Sequence, residues 1–381
     1  MKHESWLRIL CLVGALALIS CSGNQPDQAP ADIVIGEYGS LTGTTATFGI
    51  STKNGIDMAI DEVNKAGGLL GKQVRVIVED DQGKPEEAQT VVTKLITRDQ
   101  VIAVLGEVAS SRSMAAAPVA MQNGIPMISP SSTNPKVTEI GDYIFRVCFI
   151  DPFQGLVMAK FATNTLKVKN VAILRDIKND YSVGLADVFA DNFEKMGGNI
   201  VSDQSYSEGD TDFSAQLTSI KSRNPQAIFL PGYYTEVGLV ARQARKLGLN
   251  IPMMGGDGWD SPKLVEIGGE AVNGSYYSNH FSVADPSPAI QKFVGDYKAR
   301  YGVIPDALAG LAFDAAYILF DAIRRANTTE PAKVRDAIAA TKDYPGVTGR
   351  ITLDKDRNAI KPAVVLQVKD GKLEYVETIT P

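Results

Sequence analysis

The chain has 381 residues, 44% of them hydrophobic and 22% charged, with a formal net charge of −6. That length suits two domains, and the composition is that of a globular protein, which excludes collagen-like, coiled-coil and wholly disordered classes. The acidic balance argues against nucleic-acid binding, and two histidines, one of them His3, exclude a histidine-rich metal site or a Cys2His2 zinc site.

Residues 1–20 read as an export signal. Lys2 and Arg8 precede an apolar run at 9–19, shorter than the about 20 residues a spanning helix needs. The run leads into Leu18-Ile19-Ser20-Cys21, which resembles a bacterial lipobox. That resemblance implies a diacylglycerol thioether on Cys21 and cleavage before it; the alternative is a plain signal peptide with a chance cysteine. Residues 21–31 are polar and Pro-containing, as a tether should be. Cys148 is then left with no partner for an intrachain disulfide. No other run is long and apolar enough to span a membrane.

From residue 32, strands and helices alternate. A strand at 33–36 leads through a Gly/Thr-rich loop into a helix that spaces Ile56, Ala59, Ile60 and Val63 along one face and stops at Ala66-Gly67-Gly68. A strand at 74–78, a helix opened by Pro85, a strand at 101–105, a helix at 114–122 and a strand at 125–128 follow. The alternation restarts with a strand at 171–174, a helix at 181–196, a strand at 227–230, a helix at 235–247 and a short strand at 253–254. Helices at 289–300, 306–326 and 331–341 and strands at 351–353 and 363–368 complete the chain. Two β-α series predict two α/β lobes with helix-covered parallel sheets, the ligand lying beyond the carboxyl ends of the strands.

The loops after those strands hold the candidate residues. After 101–105 come Ser110, Ser111, Arg112 and Ser113, where the serines cap a helix, hold an anion at its N-terminus, or do both. After 125–128, Asn134 caps a helix starting at Pro135, leaving Ser131 and Thr133 free of capping duty. Asp257, between glycines, is either an Asp-Gly turn or a carboxylate aimed at a cation. Ser261 or Asp260 caps the helix that Pro262 opens. Tyr181, Tyr233 and Phe48 are ordinary aromatics or the walls of a cleft. Together, hydroxyls for a carboxylate, an acid for an ammonium and aromatics for an apolar body describe an amino-acid receptor.

At these residues the chain resembles the leucine/isoleucine/valine-binding family of periplasmic solute receptors. The resemblance runs from about Ile33 to the last strand. It is carried by Gly36-Glu37-Tyr38-Gly39-Ser40-Leu41-Thr42-Gly43, Ala66-Gly67-Gly68-Leu69-Leu70-Gly71-Lys72, Glu79-Asp80-Asp81, Ile125-Pro126-Met127-Ile128-Ser129-Pro130, Asp212-Phe213 and Pro231-Gly232-Tyr233. It implies a type I periplasmic-binding fold: two Rossmann-like lobes, 32–150 with 282–346 and 151–281 with 347–381, joined by crossings near 148–152, 279–283 and 345–349. It implies that Ser110, Ser131 and Thr133 hold the ligand carboxylate and part of the ammonium, that Asp257 takes the ammonium, and that Phe48, Tyr181 and Tyr233 line the cleft. Two departures are visible: Asp257 replaces a frequent glutamate, and Gly83 and Ala109 stand where some members have a disulfide. Arg112 is expected to face solvent.

The expectation is a lipid-anchored, monomeric receptor in the periplasm or cell envelope, without cofactor or metal, delivering an amino acid to an ABC permease of the inner membrane. A receptor for amides, short-chain or aromatic acids, or one feeding a sensor, is the alternative. A secreted enzyme would need a nucleophile and base. His280 and Cys148 are the mature chain's histidine and free thiol, and neither G-x-S-x-G nor a Walker A sequence occurs.

Overall fold

A computed structural model describes residues 32–381; the export signal, the tether and Cys21 lie outside the described residues. The first series forms β1 (Ile33–Gly39), α1 (Ala46–Lys65), β2 (Val74–Asp80), α2 (Pro85–Thr97), β3 (Val104–Leu105), α3 (Ser110–Gln122), β4 (Met127–Ser129), α4 (Lys136–Glu139) and β5 (Ile144–Arg146). Its five strands pair in the order β2-β1-β3-β4-β5, all parallel. The strand order reverses between β1 and β3, so a crevice opens beyond their carboxyl ends.

The second series repeats that topology. It comprises α5 (Asp151–Lys160), β6 (Asn170–Asp176), α6 (Asp180–Lys195), β7 (Asn199–Tyr206), α7 (Ser214–Ser222), β8 (Ala227–Phe229), α8 (Tyr234–Lys246), β9 (Met253–Gly255), α9 (Pro262–Gly268) and β10 (Tyr276–Asn279). The parallel order β7-β6-β8-β9-β10 mirrors the first sheet. The two crevices supply the loops that carry the candidate residues.

The chain then returns to the first lobe with α10 (Pro288–Tyr301), α11 (Ala307–Ala326) and α12 (Pro331–Ala339), followed by a small sheet of β11 (Tyr344–Gly346), β12 (Gly349–Leu353) and β13 (Ala359–Ile360). The expected last crossing near 345–349, with 347–381 in the second lobe, is displaced. Ile351, Leu353 and Ala359 join the core of the first lobe with Ile56, Ile60, Leu311 and Leu319. Asp314 on α11 fastens that segment by accepting the backbone N–H groups of Val347 (2.7 Å) and Thr348 (2.9 Å). The passage to the second sheet follows at 361–362. There β14 (Ala363–Lys369) and β15 (Lys372–Ile379) add an antiparallel pair beside β10. Asp370 and Gly371, both at positive φ, make the two-residue turn between them.

The helix expected at 114–122 begins at Ser110, and the strand expected at 101–105 is confined to Val104–Leu105. In the first core, α1 lies against α11 at a crossing that only a glycine permits. A Cβ on Gly55 would stand 2.2 Å from the carbonyl oxygen of Ala309 and 3.1 Å from the Ala312 Cβ. Gly55→Ala is therefore expected to lower the unfolding free energy by about 1–3 kcal/mol, measured as a shift in urea midpoint at unchanged slope.

Candidate functional site

The first-lobe side of the crevice is built on a buried ion pair. The Arg112 guanidinium donates to the hydroxyls of Ser40 and Thr45, each at 2.8 Å, and lies 3.5 Å from Glu107. It also reaches across to Glu208 of the second lobe at 3.1 Å. Arg112 is buried, which corrects the expectation that it faces solvent: besides nearby Glu107, its partners Ser40, Thr45 and Glu208 lie 67 to 96 residues away in sequence. The serines after β3 also differ from expectation, because none caps α3. The Glu107 carboxylate instead accepts the Ala109 N–H at the start of the helix. Ser113 bonds the Ser132 hydroxyl (2.7 Å), Ser111 donates to Asp180 of the other lobe (2.8 Å), and the Ser110 hydroxyl accepts the Asn134 N–H (3.2 Å).

The loop after β4 is held by the same network. Ser129 and Ser132 donate to the Glu107 carbonyl at 2.6 and 3.0 Å, and buried Arg146 donates to the Ser132 and Pro135 carbonyls at 2.5 and 3.2 Å. Helix α4 begins one residue later than expected, at Lys136 with Pro135 in the cap position, while the Asn134 side chain accepts the Lys136 N–H (3.0 Å). That leaves the buried Ser131 and Thr133 hydroxyls without a hydrogen-bond partner among the described residues.

The second lobe supplies the aromatics and the acid. The Tyr181 and Tyr233 rings stack at 5.5 Å, and Phe48 of the first lobe sits edge-on to Tyr233 at 5.3 Å and to Tyr234 at 5.0 Å. Tyr181 accepts the Gly258 N–H at 3.2 Å. A Cβ on Gly258 would come within 2.9 Å of Tyr233 and 3.1 Å of Tyr181. The glycine beside Asp257 therefore serves close approach to the tyrosines. Ser261, one of the two caps expected for the helix that Pro262 opens, accepts the Lys263 N–H (3.1 Å).

Asp257 is buried and already engaged: its two oxygens meet Gln154 Nε2 at 2.8 Å and His280 Nε2 at 3.0 Å. Asp151, at the start of α5, stands between this acid and the hydroxyl loop. Its N–H donates to the Thr133 carbonyl at 2.9 Å, yet neither of its carboxyl oxygens finds a hydrogen-bond partner among the described residues, nor does Gln154 Oε1. Burial pushes the Asp151 carboxyl up to about 8; the facing Thr133 hydroxyl opposes the rise and the Asp257 charge adds to it.

Phe48, Tyr181 and Tyr233 thus touch through their rings, Tyr181 meets the Gly258 N–H next to Asp257, and Ser110, Ser131 and Thr133 lie on the loops after β3 and β4, the latter joined by Asp151. Asp151, Gln154 and His280 join them and escaped the sequence reading. The signal for Asp151 was its place at the first helical turn after a crossing. The lobes are closed through Thr47–Ser261 (2.9 Å), Thr235 to the Thr44 carbonyl (2.8 Å) and Asn134 to the Asp180 carbonyl (2.9 Å). Among the described residues no group of three His, Cys, Asp or Glu is placed to hold a metal, and no helix is long and apolar enough to cross a membrane.

Residues 32–372 match the family model described as periplasmic binding protein. The Leu/Ile/Val-binding protein BraC3 of Rhizobium johnstonii is 35% identical over 85% of this chain and 88% of its own. The solved leucine-binding protein LivK of Thermotoga maritima is 41% identical, with a TM-score of 0.89 over 92% of this chain and all but 1% of the other: coverage there is 99%. LivJ of Streptococcus pneumoniae, solved with isoleucine, is 35% identical with a TM-score of 0.88, covering 92% of this chain and 100% of that one.

Removing the Arg112 cation strands a buried carboxylate. Arg112→Met is expected to destabilise the protein by about 3–5 kcal/mol, read from equilibrium urea unfolding without ligand.

Proposed function

We propose that this chain, which belongs to the periplasmic binding protein family, is an extracytoplasmic receptor that closes on an α-amino acid with a branched or other aliphatic side chain and delivers it to an ABC permease. The carrying observation is the set of buried groups lacking a hydrogen-bond partner among the described residues: the Ser131 and Thr133 hydroxyls, both Asp151 oxygens and Gln154 Oε1. Buried polar atoms left unpaired are costly, so a closed cleft holding such a set is complementary to a ligand that pairs with them. Hydroxyls of Ser110, Ser131 and Thr133 suit a carboxylate. Asp257 and Asp151 suit an ammonium, and Phe48, Tyr181 and Tyr233 suit the carbon skeleton. The BraC3 and LivJ likenesses support a branched-chain side chain. An aromatic or short-chain acid without an amino group offers the two acids no cation.

In this reading no bond is made or broken; the ligand shifts the lobes toward the closed form by hinge motion. The receptor works as a monomer, tethered by a lipid on Cys21 and exported in front of its permease. Mass spectrometry of membrane-associated protein is expected to find mature chain beginning at a diacylated Cys21, and Cys21→Ala to leave precursor or soluble protein. An unmodified protein cut elsewhere rejects the anchor.

A thermal-shift screen of the twenty amino acids reads the ligand directly, because ligand at about 100 times its Kd adds about 2.7 kcal/mol. For the ligand so found, Thr133→Val is expected to weaken binding by about 1.5–3 kcal/mol with folding nearly unaffected. Asp257→Asn is expected to weaken it by about 3 kcal/mol or more, yet to leave affinity for the matching α-hydroxy acid unchanged. Calorimetry giving Asp257→Asn wild-type affinity for the amino acid removes the ammonium from the site.

A further inference from the structure

Asp257 and His280 form a buried pair that the receptor role alone does not require. The imidazole is fully enclosed, and its Nε2 lies 3.0 Å from Asp257 Oδ2. Its ring stacks on Phe149 at 3.9 Å between centroids, 24° from parallel. Phe149 lies on the first passage between the lobes, and His280 follows β10 where the chain begins its return to the first lobe. Because the carboxylate accepts, Nε2 carries the proton, and Nδ1 presents a bare lone pair. That lone pair is buried without a partner among the described residues. A ring kept at that cost for shape alone would do as well as a phenyl. Among the described residues its one polar contact is with the acid proposed to meet the ligand, and that acid is an aspartate, whose short side chain has little reach of its own.

We propose that His280 is a positioning residue of the ammonium subsite: its Nε2–H donates to Asp257 and, with Gln154 on the other oxygen, fixes the direction in which that carboxylate meets an α-ammonium. This rests on the amino-acid reading above. It carries a further property. The groups facing the imidazole are Asp257 and Asp260 from the turn after β9 and Lys361 from the third passage, with Asp151 beyond Asp257. Burial holds the imidazole below its ordinary 6.5, against the pull of Asp257, so the ring is neutral at pH 7.5 and donates. A proton gained at lower pH puts a cation beside Asp257 that competes with the ligand's ammonium. Affinity from this source is therefore complete above the His280 pKa and is lost as pH falls through it. Asp151, pushed up to about 8 by burial, adds a separate loss that begins at higher pH and does not depend on His280.

The experiment compares the full chain with His280→Gln, whose amide nitrogen replaces Nε2, and His280→Phe, which keeps the stacked shape without a donor. L-leucine and its α-hydroxy acid are the probes, titrated calorimetrically from pH 5.0 to 8.5. At pH 7.5 we expect His280→Gln to bind L-leucine within about threefold of wild type and His280→Phe to lose tenfold or more, while all three bind the hydroxy acid alike. Below pH 6 the wild type should weaken relative to His280→Gln, by up to tenfold per pH unit. In a His3→Asn background the one remaining imidazole also reports directly by NMR: its titration midpoint should lie below 6.5 and move lower on adding L-leucine. This measurement decides the matter if His280→Phe does not fold. Wild-type affinity in His280→Phe, pH profiles of wild type and His280→Gln that coincide, or an imidazole midpoint that L-leucine does not move overturns the assignment. A wild type that binds neither L-leucine nor any other α-amino acid overturns the amino-acid reading itself, which separates the two failures.

Discussion

The cleft depends on one buried charge pair, Arg112 with Glu107. Taking both ions out of water costs several kcal/mol each, and attraction at 3.5 Å offsets this only if their remaining polar atoms are also met. They are met by Ser40 and Thr45 from the loop after β1, by Ala109 N–H at the start of α3, and by Ser129 and Ser132 through the Glu107 carbonyl. The pair therefore fixes three separate loops above the first sheet relative to one another. Phe48, Ser110, Ser131 and Thr133 inherit their positions from those loops. The same guanidinium reaches Glu208, so the group that organises one lobe also meets the other when they close.

Each passage between the lobes buries an ionisable group. Asp151 begins the helix after the first, His280 follows the strand before the second, and Lys361 lies on the third. Lys361 is pushed down to about 8 by burial, against the pull of Asp314, and donates to the Thr348 hydroxyl at 2.5 Å. Asp151 and His280 also belong to the cleft. If they serve the ligand as proposed, ligand chemistry and hinge chemistry share residues, and a charge arriving in the cleft is coupled to the segments that must move.

The architecture was legible because two signals agreed along most of the chain: helical spacing such as Ile56, Ala59, Ile60 and Val63, and short apolar strands buried on both faces. Part of what stayed hidden lacked both, although the buried strand β5 was also missed. β7 and β15 are polar strands at the two edges of the second sheet, so neither shows a buried run. Asp257 stood out by its glycines. Asp151 and Gln154 did not, because their value comes from contacts such as Gln154 with Asp257, 103 residues away. Arg112 hides its burial for the same reason: local sequence shows a charge at a helix start near Glu107, and only the fold brings Ser40, Thr45 and Glu208 to it.

The order of the chain also constrains how the molecule is assembled. The first sheet is covered on one face by α11, and Ser51 pairs with Asp306, and Glu62 with Tyr317, across 255 residues each. Until the chain is present through residue 326, that face is covered only by α1, through Ile56, Ala59, Ile60 and Val63. The strands β6 to β10 and their helices lie wholly between, with a core made largely from consecutive units. The nested lobe is therefore free to collapse early, and its frame closes last, at the slow pace that distant pairings impose. An emerging chain consequently leaves one face of its amino-terminal third incompletely covered until most of its length is available.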